Sequence, residues 1–226
     1  MQWTLGKRFV SEDEIIKDQG LFLDYDEIAR KGAMTAEEKN ISKWYGIYAS
    51  RQAGNHMARI VIPGGVLTSS QARRIAKVAE DYAQGKLAIT TRQCIQLHWL
   101  KTPSLSDMMR GLAEDSLTPF HGCGDVTRNV TGCPLAETCQ FKRFNVLPYV
   151  KETARVLTEA RDLDNLPRKF KITFSGCGAG CAQPYINCIG IVAVARQGAD
   201  GHTENGFKVV IGGGMGWAPF IGKELF

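Results

Sequence analysis

The sequence predicts an α+β protein built from two successive halves, and three observations carry that prediction. Residues 46–118 alternate short apolar runs with segments of helical period, punctuated by Gly and Pro. Residues 119–226 contain the apolar runs Ile189-Gly-Ile-Val-Ala-Val194 and Phe207-Lys-Val-Val-Ile211, which read as buried strands. Four cysteines in two pairs interrupt this second half, each pair beside glycines.

Residues 1–45 read as a mixed, partly helical lead-in. Ser11-Glu-Asp-Glu resembles a helix start with acids in its first turn, and Thr35-Ala-Glu-Glu38 has the capping-box pattern. Lys43-Trp-Tyr-Gly-Ile-Tyr48 is aromatic enough to pack on the next domain. In residues 46–118, Met57 to Ile62 reads as a strand stopped by Pro63-Gly-Gly65. Thr68-Ser-Ser-Gln71 caps a helix that places Ala72, Ile75, Ala76, Ala79 and Tyr82 on one face, and Gln84-Gly85 ends it. Leu87 to Thr90 and Cys94 to Trp99 read as strands, and Pro103 opens a second helix from Ser104 to Ala113. The order β-α-β-β-α fits a small ferredoxin-like sandwich.

In residues 119–226 the first cysteine pair runs into a helix from about Val146 to Arg161, with Val150, Ala154 and Leu157 on one side. Lys169 to Phe174 reads as a strand that delivers the second pair. The run Gly212-Gly-Gly-Met-Gly216 fits neither a P-loop nor a dinucleotide fingerprint. Ala218 to Phe226 reads as the start of a helix, so the chain could be a fragment that continues beyond it. No low-complexity linker or internal repeat interrupts the chain.

At 226 residues, with 44% hydrophobic and 23% charged residues, the chain can bury a sizeable core. Its net charge of +5 lacks any basic run with interleaved aromatics, which argues against nucleic acid. No apolar run approaches a membrane span, and no secretory signal precedes the seven cysteines. A reducing cytoplasm is the expected location, without disulfides.

The four cysteines lie in Thr131-Gly-Cys133-Pro-Leu-Ala-Glu-Thr-Cys139 and Ser175-Gly-Cys177-Gly-Ala-Gly-Cys181. Soft thiolates select iron–sulfur clusters or zinc. Paired zinc ligands prefer two to four intervening residues, so the five between Cys133 and Cys139 favour a cluster. Cys94 reads as a buried strand residue; Cys123 and Cys188 lie nearer the pairs. Around the cysteines stand six cations: Arg59, Arg92, Arg128, Arg168, Lys169 and Lys171. Lys169 and Lys171 alternate with Phe170 and share a strand face. Each alone reads as a solvated charge; together they describe a cationic pocket beside a cluster, suited to a small anion.

Ile89-Thr-Thr-Arg-Gln93 with Gln96-Leu-His98, Arg128-Asn-Val-Thr-Gly132, Leu166-Pro-Arg-Lys-Phe-Lys171 and Gly206-Phe-Lys-Val-Val-Ile-Gly-Gly-Gly214 resemble motifs of the sirohaem-dependent sulfite and nitrite reductases. The cysteine spacing does too, and the likeness runs over about residues 40–226. Within that family the chain resembles single-repeat, dissimilatory or anaerobic sulfite reductases. The resemblance implies a mixed α/β sirohaem- and [4Fe-4S]-binding half-domain over residues 119–226. It implies cluster ligation by Cys133, Cys139, Cys177 and Cys181, with Cys181 shared with sirohaem. It makes Arg59, Arg128, Lys169 and Lys171 the substrate cations, and Arg92, Gln96, Asn129 and Arg168 further cofactor-binding residues. Glycine and alanine at Gly178-Ala179 depart from the family's Pro-Asn, so a side-chain contact to the cofactor is absent there. His98 is expected to be structural. The implied activity is six-electron reduction of sulfite to sulfide, with nitrite to ammonia as the alternative. An electron-transfer subunit without anion chemistry and a sirohaem-type monooxygenase of corrinoid biosynthesis are the other readings. Implied partners are an electron-donor protein and a second copy or homologous subunit completing the haem pocket.

Overall fold

The computed structural model describes residues 22–164, 166, 169–198 and 201–225, so the helix start expected at Ser11 lies outside the described residues. Two short helices come first. In α1 (Tyr25–Lys31) the Asp24 side chain accepts from the amides of Asp26 and Glu27, and Gly32 closes the helix at φ 70°. In α2 (Ala36–Ile41) the expected capping box between Thr35 and Glu38 is formed. At seven residues, α1 is too short to announce itself by periodicity.

The first sheet contains β1 (Ile47–Ala49), β2 (His56–Ile60), β3 (Leu87–Ile89) and β4 (Ile95–Leu100), in the order β1-β2-β4-β3 and all antiparallel. The sequence reading lacked β1, which hides in the aromatic run around Tyr48. Helix α3 (Ser69–Tyr82) starts at the Thr68–Gln71 capping box, and α4 (Leu105–Ala113) continues from a 3-10 turn at Thr102–Ser104. Both helices share one core with the sheet, where Ile60, Ile75, Leu97, Leu105, Met108 and Leu112 are out of solvent. Burying each such side chain stabilises by about 1.5–3 kcal/mol. Along β2, His56, Ala58 and Ile60 are buried while Met57 and Arg59 point the other way. The helix-free face of the sheet is therefore left for Arg59.

The second half folds around α5 (Leu147–Glu159) and the strands β5 (Ile172–Ser175), β6 (Ile189–Gln197) and β7 (Thr203–Ile211). Near the end of the chain, β8 (Gly214–Met215), β9 (Pro219–Phe220) and β10 (Lys223–Glu224) are two-residue strands. The second sheet has the order β10-β7-β6-β5; β5 and β6 are parallel and the other pairs antiparallel. Val150 and Ala154 of α5 are buried against Ile172, Phe174 and Ala193, with Leu157 packed beside them. The runs expected to be buried strands are less covered than their composition suggests: Val194 is 39% and Ile211 40% exposed.

A helix does not begin at Ala218. Instead β8 pairs with β9, and the chain then joins β7 through β10. The reason lies at Gly222: its amide donates to the Tyr185 carbonyl at 2.7 Å, and a Cβ there would stand 2.6 Å from Val210 Cγ1. The segment is pressed onto the sheet, where a helix would not fit.

Two turns are among the places where the halves meet. Gly64, at φ 67°, donates to the Val130 carbonyl at 3.0 Å, and a side chain there would meet Leu147 Cδ1 at 2.7 Å. The β3–β4 turn reaches across from the first sheet, and Gln93 exchanges two bonds with the Gly132 backbone, each 2.9 Å.

Candidate functional site

The site grows from the segment 122–132, which runs between the two sheets. Thr127 pairs with Phe170 and Thr131 with Thr173 in parallel bridges, so this segment lies beside the approach to β5. The consequence is that Cys133, two residues past Thr131, and Cys177, four past Thr173, leave the same edge. The Arg143 amide donates to the Gly176 carbonyl at 2.8 Å, closing the first cysteine loop onto the second. Cys133 is buried, Cys139 and Cys177 are half-buried and Cys181 is exposed. Among the described residues no three Cys, His, Asp or Glu side chains converge as a single-ion site.

A cavity of about 520 Å³ opens on the helix-free face of the first sheet. Arg59, Arg92, Arg128, Lys169 and Lys171 line it, together with Gln96 and Asn129. Five of the six sequence-predicted cations thus come together; Arg168 lies outside the described residues. The alternation around Phe170 holds, because Lys169 and Lys171 share the cavity while Phe170 packs against the second core. Among the described residues, one carboxylate, Asp125, accompanies the five cations on the wall.

A second cavity, of about 460 Å³, shares Thr91, Arg92 and Lys171 with the first and is lined by Cys181. The exposed cysteine and the cationic pocket are therefore neighbours across a common wall. Cys133, Cys139 and Cys177 do not line either cavity.

The guanidinium groups are held by neutral oxygens. Arg59 pairs across the sheet with Gln96. With its amide oxygen facing the guanidinium, Gln96 accepts from Arg59 Nη2 at 2.7 Å and Nε at 3.2 Å. Arg59 Nη1 and Arg128 Nε both donate to the Gly122 carbonyl, at 3.3 and 3.1 Å. Only glycine fits there, since a Cβ on Gly122 would stand 2.3 Å from the Arg59 carbonyl oxygen. Arg92 donates to Asn187 Oδ1 at 2.6 Å and to the Asn129 carbonyl at 2.9 Å.

Burial lowers the Arg92 pKa to about 10, and burial also lowers that of Arg128, with Arg59 adding repulsion. Both remain cations at neutral pH, at an electrostatic cost that an anion would offset. Two buried polar atoms on this wall have no hydrogen-bond partner among the described residues: Arg92 Nε and Asn129 Oδ1. The Asn129 amide nitrogen, in contrast, donates to the carbonyls of Ile62, Arg92 and Gln93.

Several participants escaped the sequence reading. Tyr48 lines the first cavity, and burial raises its pKa. Gln93 and Asn187 brace the turn that carries Arg92. The amide patterns of Gln93 and Asn187 carry no sequence signal, because their partners are distant in the chain. Cys94 is buried as expected, yet it also lines the cavity. Burial pushes the Cys123 thiol up to about 11, which keeps it protonated at neutral pH. His98 lines neither cavity.

Comparison with known proteins agrees with this construction. Residues 48–115 match the nitrite/sulfite reductase ferredoxin-like half domain, and residues 123–226 match the nitrite and sulphite reductase 4Fe-4S domain. An assimilatory ferredoxin-dependent nitrite reductase of Haloferax mediterranei is 36% identical, over 85% of this chain and 36% of its own length. A sulfite reductase [ferredoxin] of Mycobacterium tuberculosis is 25% identical over 99% of this chain and 44% of its own. The structure of the Mycobacterium tuberculosis NirA protein superposes with a TM-score of 0.83 at 24% identity, covering 99% of this chain and 44% of that one, which supports the fold. The chain spans less than half the length of these relatives. With both its halves matched in order, the chain belongs to the nitrite and sulfite reductase family.

Proposed function

We propose that this chain binds a [4Fe-4S] cluster through Cys133, Cys139, Cys177 and Cys181, and sirohaem beside it, to reduce a small oxyanion by six electrons. The observation that carries this reading is the cavity of five cations sharing a wall with the cavity lined by Cys181. A carrier of electrons alone would account for the cysteines but not for the cations.

The residues fit the cofactors. Arg92 Nε, buried and without a hydrogen-bond partner among the described residues, is a donor suited to an acidic side chain of sirohaem. Arg168 keeps the same proposed role from the motif alone, and Gln96 and Asn129 line the space the macrocycle would meet. The exposure of Cys181 supports its role as the thiol shared between cluster and haem. When bound, the two groups supply electrons repeatedly to one anion. Arg59, Arg128, Lys169 and Lys171 hold the oxyanion and offset its charge. The Nζ atoms of Lys169 and Lys171 supply protons as oxygen leaves as water.

Sulfite to sulfide is the first reading, as the motifs imply. Nitrite to ammonia is the second, favoured by the 36% identity to a nitrite reductase. Turnover of each anion with reduced methyl viologen decides between them. A markedly higher kcat/KM for sulfite supports the first reading, and the reverse supports the second. Turnover of neither, in protein whose spectrum shows both cofactors, sinks the enzymatic reading.

Among the described residues no helix is long and apolar enough to cross a membrane. All seven cysteines are unpaired, and we place the protein in the reducing cytoplasm with an electron-donor protein as partner. Trp217 is fully exposed, and Phe220 and Ile221 are 63% and 69% exposed. Such a strip supports a second copy or homologous subunit that completes the haem pocket. Light scattering on loaded protein tests this; a monomer with full sirohaem occupancy refutes it.

A further inference from the structure

Behind the cationic cavity lies a buried polar triangle. His121 Nε2 stands 2.8 Å from Asp164 Oδ1, with the two side chains only 3% and 11% exposed. The His121 amide donates to the Trp44 carbonyl at 2.8 Å, and Trp44 Nε1 donates to the Asp164 carbonyl at 2.8 Å. The Phe120 ring stacks on the imidazole at a centroid distance of 4.1 Å. Neither His121 nor Asp164 lines the cavity.

Their neighbours do. His121 precedes Gly122, whose carbonyl receives Arg59 and Arg128. Asp164 heads the stretch that leads to Lys169 and Lys171. The two stretches are stitched by backbone bonds from Leu166 to Asp125 (2.9 Å), from Arg128 to Phe170 (2.8 Å) and from Phe170 to Val126 (2.9 Å). These stretches carry Arg128 on one side and Lys169 and Lys171 on the other, so their register must be held for the three to line one cavity. A buried, charge-assisted contact fixed by a third residue is suited to that task.

We propose that His121 and Asp164 are positioning residues: a clasp that sets the spacing between the arginine wall and the lysine wall of the anion cavity. This rests on the reading of the cavity as an anion site. Sequence patterns do not reveal it, because the two residues lie 43 positions apart and neither belongs to a recognisable motif.

The test uses cofactor-loaded protein and two independent readouts. Asp164→Asn keeps the side chain's size while removing its charge; His121→Ala removes the ring. In both, amide hydrogen exchange at Arg128 and Phe170 should accelerate about tenfold or more, while the core of the first sheet stays protected. Calorimetric dissociation constants for sulfite and nitrite should rise about tenfold. His121→Gln, which can still donate to Asp164, should restore both. If His121→Ala fails to fold, Asp164→Asn decides alone. Unchanged exchange at both amides, or faster exchange with unchanged anion affinity, overturns the clasp. If wild-type protein binds neither anion while exchange still accelerates in the variants, the stitching role stands and the anion reading falls.

Discussion

The cations on the outer helices and the arginines of the cavity are held in opposite ways. On the surface, Arg74 meets Glu114 at 2.6 Å and Asp115 at 2.7 Å, Lys77 meets Asp81 at 2.6 Å, and Arg110 meets Asp26 and Asp107, both at 2.6 Å. In the cavity, Arg59, Arg92 and Arg128 donate to carbonyl and amide oxygens. A neutral acceptor satisfies an N–H group without cancelling its charge. The proton affinities differ accordingly: the Asp115 carboxylate raises the Arg74 pKa, while burial lowers that of Arg92 and Arg128. Exposed pairs contribute little to stability because water and salt screen them. Buried, uncompensated cations cost folding energy, and their clustering marks a place where a ligand supplies the missing charge.

Substitutions can break or sharpen this contrast. The largest effect is expected from Cys181→Ser, which should abolish turnover and remove the cluster absorbance, whereas Cys94→Ser should keep both cofactors; absorption spectra check this. Next, Lys171→Met should keep both cofactors yet lower kcat/KM for the anion by about 100-fold or more, as loss of one preorganised charge does. In the first core, Leu97→Ala should destabilise by about 2–5 kcal/mol in denaturant titrations. Anion affinity should then be retained at temperatures where the variant is folded. Arg74→Met should leave turnover, anion affinity and Tm at neutral pH within error of wild type. Its small effect also has a sign. Arg74 and Ser70 hold the Asp115 carboxyl below its ordinary 3.8, so whatever stability the pair gives is present above that pH. It is lost as the pH falls through the folded-state value, and any difference between the two proteins should vanish there.

The sequence showed the fold where local signals were strong. The capping box at Thr35 and the cap at Thr68 form as read, and α5 buries Val150 and Ala154 as expected; on α3, Ile75 and Ala79 of the expected face are buried, but Ala72 and Ala76 are exposed and Val78 is buried in their stead. It failed where tertiary contact decides. The stretch Ala218–Leu225 looks helical by composition, yet Gly222 is pinned against Val210 and the chain runs as short strands. Strand β1 was missed because three residues carry no period. The cation set was legible as a constellation, since residues of one sign flanked the cysteines. Which neutral groups hold those cations was not. Gly122, Gln93 and Asn187 act through backbone or amide contacts between segments remote in sequence.

The most direct test of the central claim, that the cavity's clustered cations form an oxyanion site, is calorimetric titration of the cofactor-loaded protein with sulfite and with nitrite. Wild type, Arg128→Met and Arg74→Met would be compared at one ionic strength. The account predicts saturable binding of at least one anion by wild type and by Arg74→Met, with affinity about tenfold or more weaker in Arg128→Met. Equal affinity in all three proteins, or no binding to a wild type that retains both cofactors, would contradict it.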